Sequence, residues 1–173
     1  MAETSRSMPL GVVIERREIE HAWASESWRA VAVIPGAGPV DAPRPLGNWP
    51  GGARFHAATL TLSLYRGETE GYRLNLADQE PRVYVVMRLG DDDAGDGDES
   101  WPRPELVTVC PFEAQDYLDA NGDDLIDTVS MPLPVAVWVR DFVDRHHVDV
   151  PFKKRKRKRW HGDDPAPPRR VGG

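Results

Sequence analysis

The chain has 173 residues, 40% of them hydrophobic, and a formal net charge of −6 at pH 7, which fits one folded domain with a tail. No apolar run reaches the roughly 18 residues of a bilayer-spanning helix, and residues 1–8 lack the apolar core of a secretory signal. Its single cysteine, Cys110, excludes an internal disulfide, so we expect a cytoplasmic protein.

The charge is divided unevenly along the chain. Residues 1–152 carry 13 Arg against 26 Asp and Glu, a net charge of −13, whereas residues 153–173 carry nine cations and two acids, a net charge of +7. We therefore predict a single acidic domain over residues 8–150 and a basic, mobile tail over residues 151–173.

The first half of the domain is predicted to consist mainly of strands. Residues 10–17 and 28–34 are rich in β-branched side chains. In residues 57–65, leucines alternate with Thr and Ser, which indicates a strand with one solvated face. One-sided strands are typical of antiparallel sheets.

Strands and helices alternate in the second half. Apolar runs predict strands over residues 83–89, 105–110 and 125–129, and helical spacing predicts short helices over residues 67–77 and 111–118 and an amphipathic helix over residues 134–147. Together these elements predict an α+β fold: a mostly antiparallel sheet or small open barrel with two short helices and one C-terminal amphipathic helix.

Two insertions interrupt the predicted elements. Residues 35–55 contain five glycines and five prolines, and residues 90–104 are acidic. Long loops of this kind are usually functional or disordered, so residues 35–55 are a candidate contact surface.

Two motifs resemble ligand sites without completing them. Gly36-Ala37-Gly38 follows a strand, but Asp41 replaces the third glycine of a dinucleotide-binding loop. The segment that starts at Asp119 resembles a calcium loop, but its sixth residue is Asp124 and its twelfth is Ser130. We predict a plain loop and a solvated turn.

No nucleophile elbow, His-Glu-x-x-His helix or P-loop is present in the sequence. His146 and His147 are adjacent and point about 100° apart on a helix, so they cannot share a metal. His56 is predicted to make a structural hydrogen bond, and Cys110 to be a small core residue. We therefore assign no catalytic residue, no metal ligand and no cofactor, and the cofactor-binding residues are unknown.

A run of seven cations is the segment that composition does not explain. It needs negative charge to become ordered, and Trp160 beside it is suited to stacking. Three roles are open for this run. It could bind nucleic acid through the phosphates, bind an acidic protein, or fold back on its own acidic domain. The predicted partner-binding residues are Lys153, Lys154, Arg155, Lys156, Arg157, Lys158, Arg159 and Trp160.

Six segments carry a family resemblance: residues 9–17, 28–33, 55–60, 68–72, 113–117 and 138–143. They resemble a proteobacterial domain of unknown function that is commonly encoded beside molybdenum-dependent formate dehydrogenase genes. That family is sometimes labelled a molybdopterin-guanine dinucleotide biosynthesis protein. The resemblance covers residues 8–158 and implies an accessory protein for formate dehydrogenase expression, assembly or cofactor insertion.

The resemblance supplies no catalytic residues. A guanylyltransferase needs an N-terminal glycine-rich nucleotide loop, whereas residues 8–20 are a predicted strand of Val, Ile and Arg. We therefore expect a non-catalytic protein that binds a protein partner, possible targets being formate dehydrogenase or its maturation factors. The alternatives are a nucleic-acid-binding regulator that uses the tail and an enzyme that handles a molybdopterin nucleotide.

Overall fold

The structure is a computed structural model that describes residues 4–22, 26–89, 101–120, 122 and 124–149. Within these residues the chain forms two antiparallel sheets and three α-helices. The strands are β1 (Ser5–Glu18), β2 (Glu26–Pro35), β3 (Arg44–Trp49), β4 (Gly52–Tyr65), β5 (Arg82–Arg88), β6 (Arg103–Thr108) and β7 (Asp124–Ser130). The helices are α1 (Thr69–Ala77), α2 (Pro111–Ala120) and α3 (Leu133–His146), and a 3₁₀ turn over Arg66–Glu68 leads into α1.

Strand β1 is central in the four-stranded sheet, whose order is β2-β1-β4-β3. It pairs with β2 and β4 along most of its length. Leu10, Val12 and Ile14 are fully buried on its inner face. The residues between them are buried as well, so this strand has both faces covered.

The outer face of β1 is covered by a neighbouring loop and by long side chains. A Cβ atom on Gly11 would lie 2.8 Å from both the Ala37 Cβ and the His56 Nε2, so the close approach of the loop requires glycine at this position. Glu15 is 1% exposed and forms ion pairs with Arg17 and Arg54. These ion pairs compensate the burial of a carboxylate.

The second sheet has three strands in the order β6-β5-β7. Val83, Val85, Val86 and Met87 of the central strand β5 are fully buried. The two sheets approach each other where β4 meets β6 and where β2 meets β7. At the second contact the Ala30 N–H donates to the Asp127 Oδ2 at 2.8 Å, so a side-chain oxygen links sheets that share no ladder there.

Helix α3 covers the core through its apolar stripe. Val135, Val139 and Phe142 are fully buried, at the positions where three- and four-residue spacing puts them on one face. The Phe142 ring packs edge-on against Tyr72 of α1, with ring centroids 6.3 Å apart. An ion pair of 2.9 Å between Arg6 and Asp141 ties α3 to the start of β1.

The predicted fold class is confirmed: the protein is α+β with two antiparallel sheets, and the sheets do not join into a closed barrel. No helix in the described ranges is long and apolar enough to cross a bilayer. The prediction of a structureless segment over residues 35–55 was wrong, because residues 44–49 form β3 against β4. Every residue of β3 is exposed, so no alternation of polar and apolar residues marks this strand in the sequence.

Gly71 allows α1 and the start of α2 to approach closely. A Cβ atom on it would lie 2.5 Å from the Cys110 Sγ and 3.3 Å from the Phe112 Cδ2. We expect Gly71→Ala to lower the free energy of unfolding by about 1–3 kcal/mol through overpacking, partly offset by the better helix propensity of alanine. Urea denaturation measures this. In a Cys110→Ala background the nearest obstacle is absent, so the loss should shrink, and an equal loss in both backgrounds would contradict the steric explanation.

The Glu15 ion pairs make stability depend on pH. The Arg54 hydrogen bond, aided by Arg17, lowers the pKa of Glu15 below its ordinary value of 4.5 despite burial. Its stabilisation is therefore present above that value and is lost as pH falls through the folded-state pKa. We expect Glu15→Gln to lower the Tm most near neutral pH, with a difference from wild type that shrinks in acid. Thermal melts from neutral pH to below pH 4.5 measure this difference in Tm, with the exposed Glu18→Gln as the control. An equal decrease in Tm in both variants would refute the stabilising role of the Glu15 ion pairs.

Candidate functional site

A charged groove lies between the start of α1 and the end of α3. It has a volume of about 680 Å³. Because the two helices pack against each other, residues that are more than seventy positions apart in the sequence meet at its walls. We call it the α1–α3 groove; its lining residues are Arg66, Gly67, Thr69, Glu70, Arg73, His146, His147, Val148 and Asp149.

His147 is the centre of this groove. Its backbone N–H donates to the Val143 carbonyl at 2.8 Å, and its extended backbone ends α3. The ring Nδ1 lies 3.1 Å from the Thr69 Oγ1. The Nε2 lies 3.1 Å from both the Arg73 Nη1 and the Asp149 Oδ1. The imidazole therefore links the end of α3 to α1, and its side chain is only 13% exposed.

Asp149 is held at the mouth of the groove by two side chains. Its Oδ1 accepts a hydrogen bond of 2.6 Å from Arg73 in addition to the His147 contact. These two interactions, with His147 the larger, hold the pKa of Asp149 below its ordinary value. The Asp149 side chain is 79% exposed. Glu70 is the other acid of the groove, with a carboxylate oxygen 3.7 Å from the His147 Nε2.

The order of burial in the groove opposes nucleophilic catalysis. A hydroxyl, an imidazole and a carboxylate stand in line, as they do in hydrolases, where the base activates an accessible hydroxyl. Here Thr69 is the buried end, 6% exposed, and its hydroxyl donates to the Arg66 carbonyl at 3.3 Å. The carboxylate is the exposed end. This arrangement suits recognition of an acidic group by Arg73 and His147.

His146 lies apart from His147 in its contacts. Its ring packs on Phe142 with centroids 4.5 Å apart, and its Nε2 is buried without a hydrogen-bond partner among the described residues. The two rings therefore make different contacts, although both residues line the groove. Among the described side chains, no group of three or more His, Cys, Asp or Glu residues is arranged to hold a metal ion.

His56 and the glycine-rich turn form a structural network. The His56 Nε2 lies 2.8 Å from the Thr59 Oγ1, and Thr59 donates to the Gly38 carbonyl at 2.7 Å. Gly36 adopts a φ of +71° as the chain leaves β2. The predicted structural hydrogen bond of His56 is therefore present. Residues 41–50 are all exposed, so their role as a contact surface stays a prediction.

A second cavity of about 540 Å³ lies between residues 40–43 and 101–104. Trp101 lines it and packs on Phe55 and Trp28, with ring centroids 4.5 and 4.8 Å away. The Arg16 guanidinium lies 5.9 Å from the centroids of Trp28 and of Phe55. This aromatic cluster could not be predicted from the sequence, because its members come from three separate segments.

The predicted partner-binding residues, Lys153 to Arg159 and Trp160, lie outside the described residues, as does the acidic stretch of residues 91–99. Asp124, the sixth residue of the calcium-like segment, is 7% exposed and lies 3.6 Å from Arg88. Our prediction of a solvated turn was therefore wrong at this residue, because it opens strand β7.

Fold and site together define an α+β protein with two antiparallel sheets and a charged groove at the end of helix α3. The chain belongs to the family described as "Protein of unknown function (DUF3305)", whose model matches residues 9–156. The match ends inside the basic run. No curated protein and no solved structure matched the chain.

Cys110 is fully buried directly before α2, where its S–H donates to the Glu68 Oε2 at 3.2 Å. Burial, aided by the nearby Glu68 carboxylate, raises the pKa of the thiol. The prediction of a core residue is confirmed.

Because the thiolate is the reactive form of cysteine, we expect an aromatic disulfide reagent to label Cys110 in the folded protein orders of magnitude more slowly than in guanidinium. Stopped-flow absorbance measures both rates. Labelling of the folded protein at the rate of an exposed thiol would contradict this environment.

Proposed function

We propose that this protein is a non-catalytic accessory protein that binds a protein partner during expression, assembly or cofactor insertion of a molybdenum-dependent formate dehydrogenase. The observation that carries the proposal is the separation of charge: a net −13 over residues 1–152 and +7 over residues 153–173. Seven cations in succession, with Trp160 beside them, favour an acidic surface as the partner.

The position of the basic run supports this proposal. Asp149 is fixed to α1 through Arg73 and His147, and Lys153 follows four residues later. At most about 14 Å of chain separates them, since a residue spans about 3.3–3.6 Å when extended. Lys153, the first residue of the basic run, is therefore close enough to the α1–α3 groove for one partner to contact both.

The link to formate dehydrogenase rests on the sequence resemblance. The family match itself concerns a family of unknown function and covers residues 9–156, which include Lys153 to Lys156. The partner would be the dehydrogenase or one of its maturation factors, recognised by an acidic surface.

A nucleic-acid-binding regulator is the second candidate, because phosphates also attract a basic run. The net charge of −13 over residues 1–152 weighs against it, since it repels the phosphate backbone. The third candidate, an enzyme that handles a molybdopterin nucleotide, would use the α1–α3 groove. There the buried hydroxyl of Thr69 weighs against catalysis, and a thermal shift with the nucleotide would favour this candidate.

Neutralising the basic run is the test of the proposal. We expect a variant with residues 153–159 all replaced by Ser to lose its protein partner in pull-downs from the native host, because the attraction of seven charges is removed. Capture by wild type should weaken as salt shortens the Debye length to about 3 Å near 1 M. Quantitative mass spectrometry of the captured proteins measures both effects.

The matched control replaces Arg169 and Arg170, two cations outside the run, with Ser. It should capture the same partners as wild type. Identical partners for the neutralised variant would remove the basic run from the proposal, and nuclease-sensitive capture would favour the nucleic-acid candidate.

A further inference from the structure

We propose that the α1–α3 groove is a docking site for a carboxylate of an acidic protein segment, and that Asp149 occupies this site while the protein is free. The inference deepens the proposed function and rests on it, because it names a second contact for the same acidic partner. It is carried by the geometry of Arg73, His147 and Asp149.

Asp149 behaves as a ligand supplied by the segment that follows α3. Its carboxylate sits between the Arg73 Nη1 at 2.6 Å and the His147 Nε2 at 3.1 Å. It is 79% exposed, whereas His147 is 13% exposed. His147 therefore belongs to the groove wall, and Arg73, 53% exposed, reaches from α1 to the carboxylate at the mouth, where another carboxylate can replace it.

Such an exchange preserves the hydrogen bonding of Arg73 to a carboxylate. An incoming Asp or Glu would accept the same charge-assisted hydrogen bonds from Arg73 that Asp149 accepts now. Thr69 fixes the His147 ring from the opposite side at 3.1 Å, so the imidazole stays in place when Asp149 leaves. The exchange requires only movement of residues beyond the end of α3.

The groove keeps a small net positive charge when Asp149 leaves. Without Asp149 the groove retains Arg66 and Arg73, together with His146 and His147, and Glu70 is the one acid left among its lining residues. Glu70 lies 3.7 Å from the His147 Nε2 and repels an incoming carboxylate, so the groove alone attracts acids weakly. The run that starts at Lys153 supplies the additional attraction.

A tethered ligand competes at a high effective concentration, on the order of millimolar. A free carboxylate in solution therefore does not displace Asp149. An acidic segment that is bound to the basic run has a comparable effective concentration at the groove, so its carboxylates can compete with Asp149. Stable binding therefore depends on two contacts, the basic run and the groove, and favours partners whose acidic residues are spaced to reach both.

The experiment measures binding of a fluorescein-labelled peptide of Glu residues spaced by Gly-Ser to the full chain by anisotropy at low salt. We expect Asp149→Asn to tighten binding by about three- to tenfold, because the site no longer has to be vacated first. Glu70→Gln removes the same charge from the same groove without vacating the site, so it should tighten binding less.

A double-mutant cycle tests the role of Arg73. The gain from Asp149→Asn should disappear in an Arg73→Gln background and persist in an Arg140→Gln background, where an exposed arginine of α3 is removed instead. Circular dichroism melts of each variant establish that it is folded. Equal gains from Asp149→Asn and Glu70→Gln, or a gain that survives Arg73→Gln, would overturn the docking site.

The two proposals fail in different ways. If the variant neutralised over residues 153–159 binds the peptide as wild type does, the proposed function fails. If binding needs the basic run but ignores Asp149 and Arg73, only the docking site fails. A single-stranded oligonucleotide forms the last arm, and a gain from Asp149→Asn that is as large for it as for the peptide would overturn carboxylate recognition.

Discussion

The pairing of β1 on both of its edges, with both faces buried, is the constraint on which the rest of the structure depends. The strand carries six consecutive buried residues, from Leu10 to Glu15. Its inner face forms part of the core between the sheets and α3, whereas its outer face needs a loop and two arginines to cover it. The Gly11 contact and the Glu15 ion pairs are consequences of that burial.

The fold could be predicted wherever a segment buries one face. The alternating leucines of β4 and the apolar stripe of α3 gave the correct element types, because burial of one face imposes a period on the sequence. Strand β3 was missed for the opposite reason. It is exposed throughout and exists because β4 offers it a partner, so its sequence carries no trace of its environment. On β1, burial of the second face depends on residues 36–38, which no local pattern reveals.

The candidate site was less predictable than the fold. The basic run is visible in the sequence, but Thr69, Arg73 and His147 are brought together only by packing of α1 against α3. A charged residue on a helix surface has the same local signal whether or not it faces another element. His147 was predicted to lie within the helix over residues 134–147, whereas α3 ends at His146 and His147 has an extended backbone. The candidate site residues at the end of α3 become recognisable only once the packing of α3 against α1 is known.

Strand β3 has a consequence for how copies of this protein behave at high concentration. It is an edge strand of the four-stranded sheet, and an edge strand can pair with a strand of another molecule. Pro45 has no amide hydrogen to donate, and the register with β4 shifts between Pro45 and Gly47. A strand interrupted in this way does not pair regularly with a strand of another copy. High protein concentration alone therefore does not lead to polymerisation along this edge.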